Sequence, residues 1–323
     1  MDMGNVMHMA LEKFAAEVRK EGLDWAELTE EERNRIIDSC LDQVSADYGN
    51  TILKSSARNE YMLERTRRIL RRTVWALQEQ LKHGAFRPEG FEVRFQGGRI
   101  DRVDIMEEPE NNRVYVKVID YKTGNTSFDL LALYHGLQLQ LMVYLDGALQ
   151  VEKRKYPDRE IVPAGVFYYN VKDPMIQEKI HADMESINEQ MLKKMKMNGL
   201  VQADDNMSTK IDSTMASIPV SLNRDGSFSK RSSVASRKQF DVLGAYVRRK
   251  ICDIRESILD GNAAVEPYEL GKKNACTYCP YLTVCGFDRK IPGYEFHRLS
   301  SIGEDALWKK IMKGEEENGS EMD

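Results

Sequence analysis

The strand-like runs Phe91-Glu-Val-Arg-Phe95, Arg99-Ile-Asp101 through Met106, and Val114-Tyr-Val-Lys-Val-Ile-Asp120-Tyr-Lys122 decide the fold. They are rich in Val, Ile and Phe and are separated by two sets of turn residues, Gly97-Gly98 and Pro109 to Asn112. Three consecutive strands joined by short turns are predicted, so each neighbours the next in antiparallel fashion. Side chains alternate across a strand, which puts Val114, Val116 and Val118 on one face with Asp120 and Lys122. One apolar strand face therefore ends in a carboxylate and an ammonium. If the strands carrying Asp101 and Asp120 pair as a hairpin, their carboxylates converge near its open end.

Two carboxylates beside a lysine suit Mg²⁺-assisted attack of water on a phosphodiester. The metal takes hard oxygen ligands, and the lysine orients the water or neutralises developing charge. A surface Asp–Lys pair has the same spacing. The D-x-K pattern gains weight from the G-x-I-D strand upstream, the apolar approach and the helix that follows.

Outward from this core, the N-terminal 84 residues read as helices. Val6, Met7, Ala10, Leu11, Phe14, Ala15 and Val18 recur at spacings of three and four between Gly4 and Lys20. Thr29 and Glu32 form a capping-box pattern for a helix through Ile36, Ile37, Cys40 and Leu41 to about Tyr48. A longer helical pattern runs from about Ser55 to Lys82 and stops at Gly84. Past the strands, Leu130 to Leu149 reads as one helix and Ala164 to Tyr169 as a strand. Pro174 suits the first turn of a helix ending near Asn198-Gly199. The middle is thus an α/β layer with antiparallel strands at its start. Asp204 to about Ser236 is polar and Ser-rich, and reads as a surface excursion with one hairpin around Asp225-Gly226. Phe240 to Leu259 is a helix, and the tail after Trp308 is expected to fray.

Three further patterns carry chemistry. In Gly4-x-x-x-His8 the glycine lies one turn before the histidine on the same face, which admits close approach. A lone helical histidine is usually a packed or surface residue, but a neutral imidazole can join two carboxylates around a divalent metal. Gln140 and Tyr144 are also one helical turn apart; near a metal site they can orient the lysine or contact substrate phosphate. The run Cys276-Thr-Tyr-Cys279-Pro-Tyr-Leu-Thr-Val-Cys285 puts three thiols in ten positions. Zinc and an iron–sulfur cluster both fit the ligand type. Cys279-Pro280 and the apolar, aromatic surroundings lean toward a 4Fe–4S cluster. Either metal wants four ligands, and the remaining Cys40 and Cys252 sit in helical patterns, where an inert buried thiol is the commoner fate.

Composition narrows the classes. The chain has 323 residues, 41% hydrophobic and 31% charged, enough for a large core and unlike a disordered chain. A net charge of −5 provides no global basic field, so any DNA contact comes from local patches. Arg65, Arg68 and Arg72, at helical spacings with Trp75 one turn on, are the first such candidates. Five cysteines exclude a disulfide scaffold. The apolar runs are too short for a bilayer, and the N-terminus lacks a secretory series, so a cytoplasmic protein without membrane partners is expected.

The order G-x-x-x-H, G-x-I-D, V-I-D-Y-K-T-G, Q-x-x-x-Y and C-x₂-C-x₅-C resembles the RecB-type PD-(D/E)XK nucleases. More closely, it resembles the C-terminal nuclease domain of the B subunits (AddB/RexB) of bacterial ATP-dependent helicase–nucleases, from Gly4 to about Leu299. The resemblance implies a restriction-endonuclease-like α/β core, a mixed sheet flanked by helices, with N-terminal helices and a C-terminal cysteine-rich iron–sulfur segment. It implies that His8, Asp101 and Asp120 hold a catalytic Mg²⁺ or Mn²⁺, that Lys122 is the catalytic lysine, and that Gln140 and Tyr144 form the fourth motif. Asp104 does not match the motif position. Cys276, Cys279 and Cys285 match the last three cluster ligands. In the family the first cluster cysteine precedes the G-x-x-x-H helix, together with helicase-like domains. A fragment with an incomplete cluster is therefore expected.

The expected organisation is a nuclease core with its helical part over 1–200, a polar hairpin excursion and helix over 201–262, a cysteine-rich segment over 263–300 packing back on the core, and a tail over 301–323. The implied function is cleavage of single-stranded DNA during processing of broken duplex ends for recombinational repair, alongside the AddA helicase–nuclease subunit. No Walker A motif is present, so ATP hydrolysis is expected of other regions or of the partner. The rival readings are a standalone iron–sulfur exonuclease of the CRISPR-associated or exonuclease V kind, and a non-catalytic DNA-binding or structural module.

Overall fold

The computed structural model describes residues 3–48, 56–176 and 183–319. Its chain divides into two compact units, one formed by 1–128 with 144–240 and the other by 129–143 with 241–323. The first unit opens with three helices: α1 (Met3–Lys20), α2 (Glu30–Asp47) and α3 (Ala57–Lys82). The apolar stripe of α1 is the buried face, from Val6 to Val18. Thr29 and Glu32 close the capping box that starts α2, each side chain bonding the other's backbone N–H. Ser56 caps α3, and Ser55, where that pattern begins, lies outside the described residues.

The three predicted strands are β1 (Arg87–Phe95), β2 (Gly98–Glu108) and β3 (Arg113–Lys122), paired antiparallel in succession. Next come α4 (Leu130–Tyr134), α5 (Gln140–Lys155) and β4 (Glu160–Asn170). β4 pairs parallel with β3. A parallel pair needs a crossover of a dozen residues or more, and the chain between these two strands provides it. Then follow α6 (Met184–Lys194), β5 (Asn198–Gln202), α7 (Met207–Ile211) and β6 (Val234–Ala235). The sheet order is β1-β2-β3-β4-β5-β6, with β5 antiparallel to β4 and parallel to β6. It is a mixed sheet flanked by helices. The main apolar cluster joins α1, α2 and α3 to one sheet face through Met106, Tyr115, Ile119, Tyr121, Phe167 and Tyr169.

Four expectations need correction. Leu130 to Leu149 is not one helix: the chain breaks after α4, where Gly136 adopts φ +79°, a left-handed conformation that glycine takes without a Cβ penalty. Pro174 stands outside any helix; α6 starts only at Met184, and Asn198-Gly199 opens strand β5 rather than ending a helix. The polar segment 204–236 is not wholly on the surface. It has the Leu222–Phe228 bridge around Asp225-Gly226, but it also buries Met207, Ile211, Ile218 and Val220 and adds β6 to the sheet. The tail after Trp308 continues α9 (introduced below) rather than fraying, as far as Gly319.

The second unit contains α4 and the larger part of α8 (Arg237–Leu259). β7 (Tyr268–Leu270), β8 (Lys273–Asn274) and β9 (His297–Arg298) form a small sheet in the order β8-β7-β9. α9 (Glu304–Gly319) closes the unit and buries Leu307, Trp308 and Ile311. Tyr246 on α8 stacks on Tyr134 at 5.6 Å and donates its hydroxyl to the Tyr134 carbonyl at 2.6 Å. Among the described residues no helix is long and apolar enough to cross a membrane.

Candidate active site and metal centre

Strand register builds the site. Arg102 pairs with Ile119, so Asp101 comes opposite Asp120 one step along the ladder. Phe91 pairs with Arg102 and Val93 with Ile100, which brings Glu92 opposite Asp101. Asp120 in turn pairs with Tyr168 on β4. Glu92, Asp101, Asp120 and Tyr168 thus form one row across four strands. Beneath the row, Val114, Val116 and Val118 are completely buried, so the apolar strand face does end in Asp120 and Lys122.

α1 brings His8 to the row. Its Nδ1 lies 3.3 Å from Oδ2 of Asp101, and the backbone N–H of Tyr121 donates to the same oxygen at 2.7 Å. His8, Glu92 and Asp101 offer one ligand atom each within 4.8 Å of one another. Among the described residues this is the one such trio of His, Cys, Asp or Glu. Asp120 stands beside it with its carboxylate 2.6 Å from Lys122 Nζ. The Lys122 ammonium also sits 5.5 Å over the ring of Tyr168.

Crowded carboxylates leave an electrostatic signature. Burial, then the charge of Asp120, pushes the Asp101 carboxyl up to about 7. Burial likewise raises Glu92 and Asp120, although Arg99 opposes it at the first and Lys122 at the second. Burial lowers His8, favouring the neutral imidazole that can ligate a metal. Glu92 has φ 50°, in the left-handed region where a side chain with a Cβ is strained by about 1–3 kcal/mol. Such strain persists where surrounding structure enforces it, and here it aims a carboxylate at Asp101.

Tyr144 packs edge-on against Phe95 at 6.0 Å, beside the β1–β2 turn. Gly147 lets α5 lie on that ring, since a Cβ there would come within 2.5 Å of it. Gln140 is the first residue of α5 and belongs to the second unit. Arg68 and Arg72 of α3 both face Asp173, at 2.6 and 3.5 Å, while Arg65 is exposed. Cys276 and Cys279 are half-buried and Cys285 is exposed, on a loop that also exposes Tyr278, Tyr281 and Val284. Burial, with Cys279 and Cys285 nearby, raises the Cys276 thiol. The three sulfurs are not drawn into one set of ligand atoms. Cys40 is buried in α2, its thiol pushed up to about 11 by burial, and Cys252 is exposed on α8.

A profile of the PD-(D/E)XK nuclease superfamily matches residues 1–286. The chain belongs to that superfamily. It is also similar to proteins named as the B subunit of an ATP-dependent helicase/deoxyribonuclease. The Lachnoclostridium phytofermentans protein is 39% identical over 336 residues, which cover 98% of this chain and 29% of that protein. Those of Thermoanaerobacter sp. strain X514 and Alkaliphilus metalliredigens are 33% and 34% identical, covering 100% and 97% of this chain and 30% and 29% of theirs. The chain therefore spans about three tenths of the length of the curated relatives it matches.

Within this PD-(D/E)XK chain, sequence reasoning missed Glu92 and Tyr168. Glu92 was within reach: Phe95 pairs with Gly98 across the Gly97 turn, and counting back three residues on each side pairs Glu92 with Asp101. Tyr168 was not, because its place beside Asp120 depends on a parallel pairing across a long crossover. The donor set, two carboxylates and an imidazole, fits a divalent ion such as Mg²⁺ or Mn²⁺.

Proposed function

We propose that this chain is the nuclease part of a helicase–nuclease B subunit and hydrolyses phosphodiester bonds of single-stranded DNA. The row of Glu92, Asp101 and Asp120 with His8 on one side and Lys122 on the other carries this reading. A Mg²⁺ or Mn²⁺ held by His8, Glu92 and Asp101, with Asp120 alongside, would polarise the phosphate and acidify water. Asp120 holds the Lys122 ammonium in place, where it orients the attacking water and offsets negative charge gathering on the phosphate. Water adds to phosphorus, the P–O bond to the leaving strand breaks, and that oxygen takes up a proton. Tyr144 and Gln140 are assigned to substrate phosphate and to orienting the lysine. Arg65 extends the basic face, while Arg68 and Arg72 would exchange Asp173 for phosphate.

The names of the relatives support a role beside a helicase, and we assign the AddA helicase–nuclease subunit as partner in processing broken duplex ends. Cys276, Cys279 and Cys285 are assigned as three of the four thiolates of a 4Fe–4S cluster; iron and labile sulfide, measured against zinc, test that assignment. The nuclease reading is tested by incubating the chain and its Asp120→Ala variant with labelled single-stranded DNA and Mg²⁺. Cleavage by the parent and none by the variant is expected. Equal cleavage by both ends the assignment, and cleavage by neither favours a non-catalytic module.

A further inference from the structure

The first unit also holds an open cleft of about 570 Å³ whose wall carries Lys172, Lys193, Lys194, Lys196 and Arg231. Among the described residues no acidic side chain lines it. Its position follows from strand register. Lys122 pairs with Asn170, and Asp120, Tyr168 and Asn198 are successive partners on β3, β4 and β5. Both asparagines line the cleft. With strands about 4.8 Å apart, the cleft starts one strand from Lys122 and about 10 Å from Asp120.

The two asparagines also shape it. The Asn170 side-chain amide donates to the Thr126 carbonyl and accepts from the Thr126 N–H, each at 3.0 Å, and Asn198 accepts from the Phe128 N–H. The loop that follows Lys122 is thereby fixed as one edge of the cleft. Among the described residues Lys172, Lys196 and Arg231 make no ion pair with a carboxylate. Burial holds the half-buried Lys196 ammonium below its usual value despite Asp212, as expected of a cation short of a close counter-charge. Lys193 is committed only to Glu189 at 3.4 Å, and Lys194 to the Met175 carbonyl. The lining has no aromatic ring, so it offers charge and hydrogen bonds but no stacking surface for bases.

We propose that this cleft holds the phosphodiester backbone of the single DNA strand whose scissile bond lies at Asp120 and Lys122. This rests on the nuclease reading above and names the path of its substrate. Backbone contact without stacking makes binding salt-dependent and indifferent to base sequence.

The test uses the full chain carrying Lys172→Gln, Lys196→Gln and Arg231→Gln together. Fluorescence anisotropy with a labelled oligothymidylate, in EDTA and over a salt series, is expected to show binding weakened at least ~10-fold. The slope of log K against log salt should shrink by about 2, since each single-strand phosphate contact contributes roughly 0.7. Arg231→Glu alone, at an exposed position, should weaken binding in the same direction, whatever Lys196→Gln does to folding. Lys20→Gln, Arg35→Gln and Lys82→Gln together remove equal charge from cations already paired with Glu17, Glu21 and Glu79, and should leave the slope unchanged. Parental binding by the cleft variant, or an equal loss in this control, overturns the proposal. The p-nitrophenyl ester of thymidine 5′-phosphate, with one phosphodiester, should be cleaved equally by parent and cleft variant. If the parent cleaves neither this ester nor DNA, the nuclease reading fails while the binding slopes still decide the cleft.

Discussion

Asp101 and Asp104, three residues apart on β2, lie on opposite faces of the sheet and in opposite electrostatic company. Asp104 is fully buried, with Arg102 at 2.6 and 3.0 Å and Lys117 at 3.0 Å. Arg102 in turn lies 5.0 Å over Trp25 and 5.6 Å over Phe91. Burial alone would raise the Asp104 carboxyl, but these two cations hold it below its usual range. On the other face Asp101 shares its row with Glu92 and Asp120, and all three carboxyls are raised. The same strands thus carry one buried carboxylate enclosed by two cations and one row of three carboxylates that faces only two, Arg99 and Lys122. A carboxylate well supplied with cations tolerates burial, and a row with fewer cations than carboxylates has a use for one from outside. Buried charge by itself does not mark a functional site; the shortage does.

The largest effect separating the two clusters is on stability. Asp104→Ala strands two buried cations, and removing one member of such a network costs about 3–5 kcal/mol. Urea unfolding of the metal-free chain should show this, and a loss below about 1 kcal/mol would mean the cluster is hydrated rather than matched. Lys122→Ala belongs to the other face. It should lower kcat on single-stranded DNA by ~10²–10³, about 3–4 kcal/mol, with little change in unfolding. An equal fall in stability would reassign Lys122 to structure. Next in size is the response to metal. Mn²⁺ at a hundred times its dissociation constant should stabilise the chain by about 2.7 kcal/mol. Glu92→Gln should weaken this response, Asp104→Asn should not, and equal responses in both variants would remove Glu92 from the ligand set.

How much of this was legible depended on the range of the contact that decides each feature. The strands around Asp101 and Asp120 follow from alternation and turn residues, and Thr29 with Glu32 announces α2 through contacts three residues apart. His8 was visible as a residue type, but its approach to Asp101 depends on how α1 packs. Nothing in the sequence marks Asp104 and Lys117 as a buried ion pair, because only the strand register brings them together. The break after Tyr134 and the strand at Asn198 were missed because short apolar runs fit either period. The polar segment 204–236 hid its buried residues among serines, since Ile211, Ile218 and Val220 are too scattered to show a period.

Per pH unit the smallest effect concerns protons, and its sign differs between the two faces. Asp101 is pushed up to about 7 by burial and then by Asp120, against 3.8 for an ordinary aspartate. Between about pH 4 and 7 Asp101 in the metal-free folded chain therefore holds a proton that it has released in the unfolded chain, and its contribution to stability falls as pH rises. The gradient is about 1 kcal/mol per pH unit, just under the 2.303RT ceiling for one group. Asp101→Asn should flatten it, and so should saturating Mn²⁺, which favours the charged carboxylate. Asp104, held low by Arg102 and Lys117, contributes stability above about pH 4 that is lost only as acid protonates it. Unfolding of the parent and Asp101→Asn chains in EDTA, measured across that range, reads the difference directly. Parallel curves would mean that Asp101 is as well matched as Asp104, and the shortage of positive charge that singles out its face would be gone.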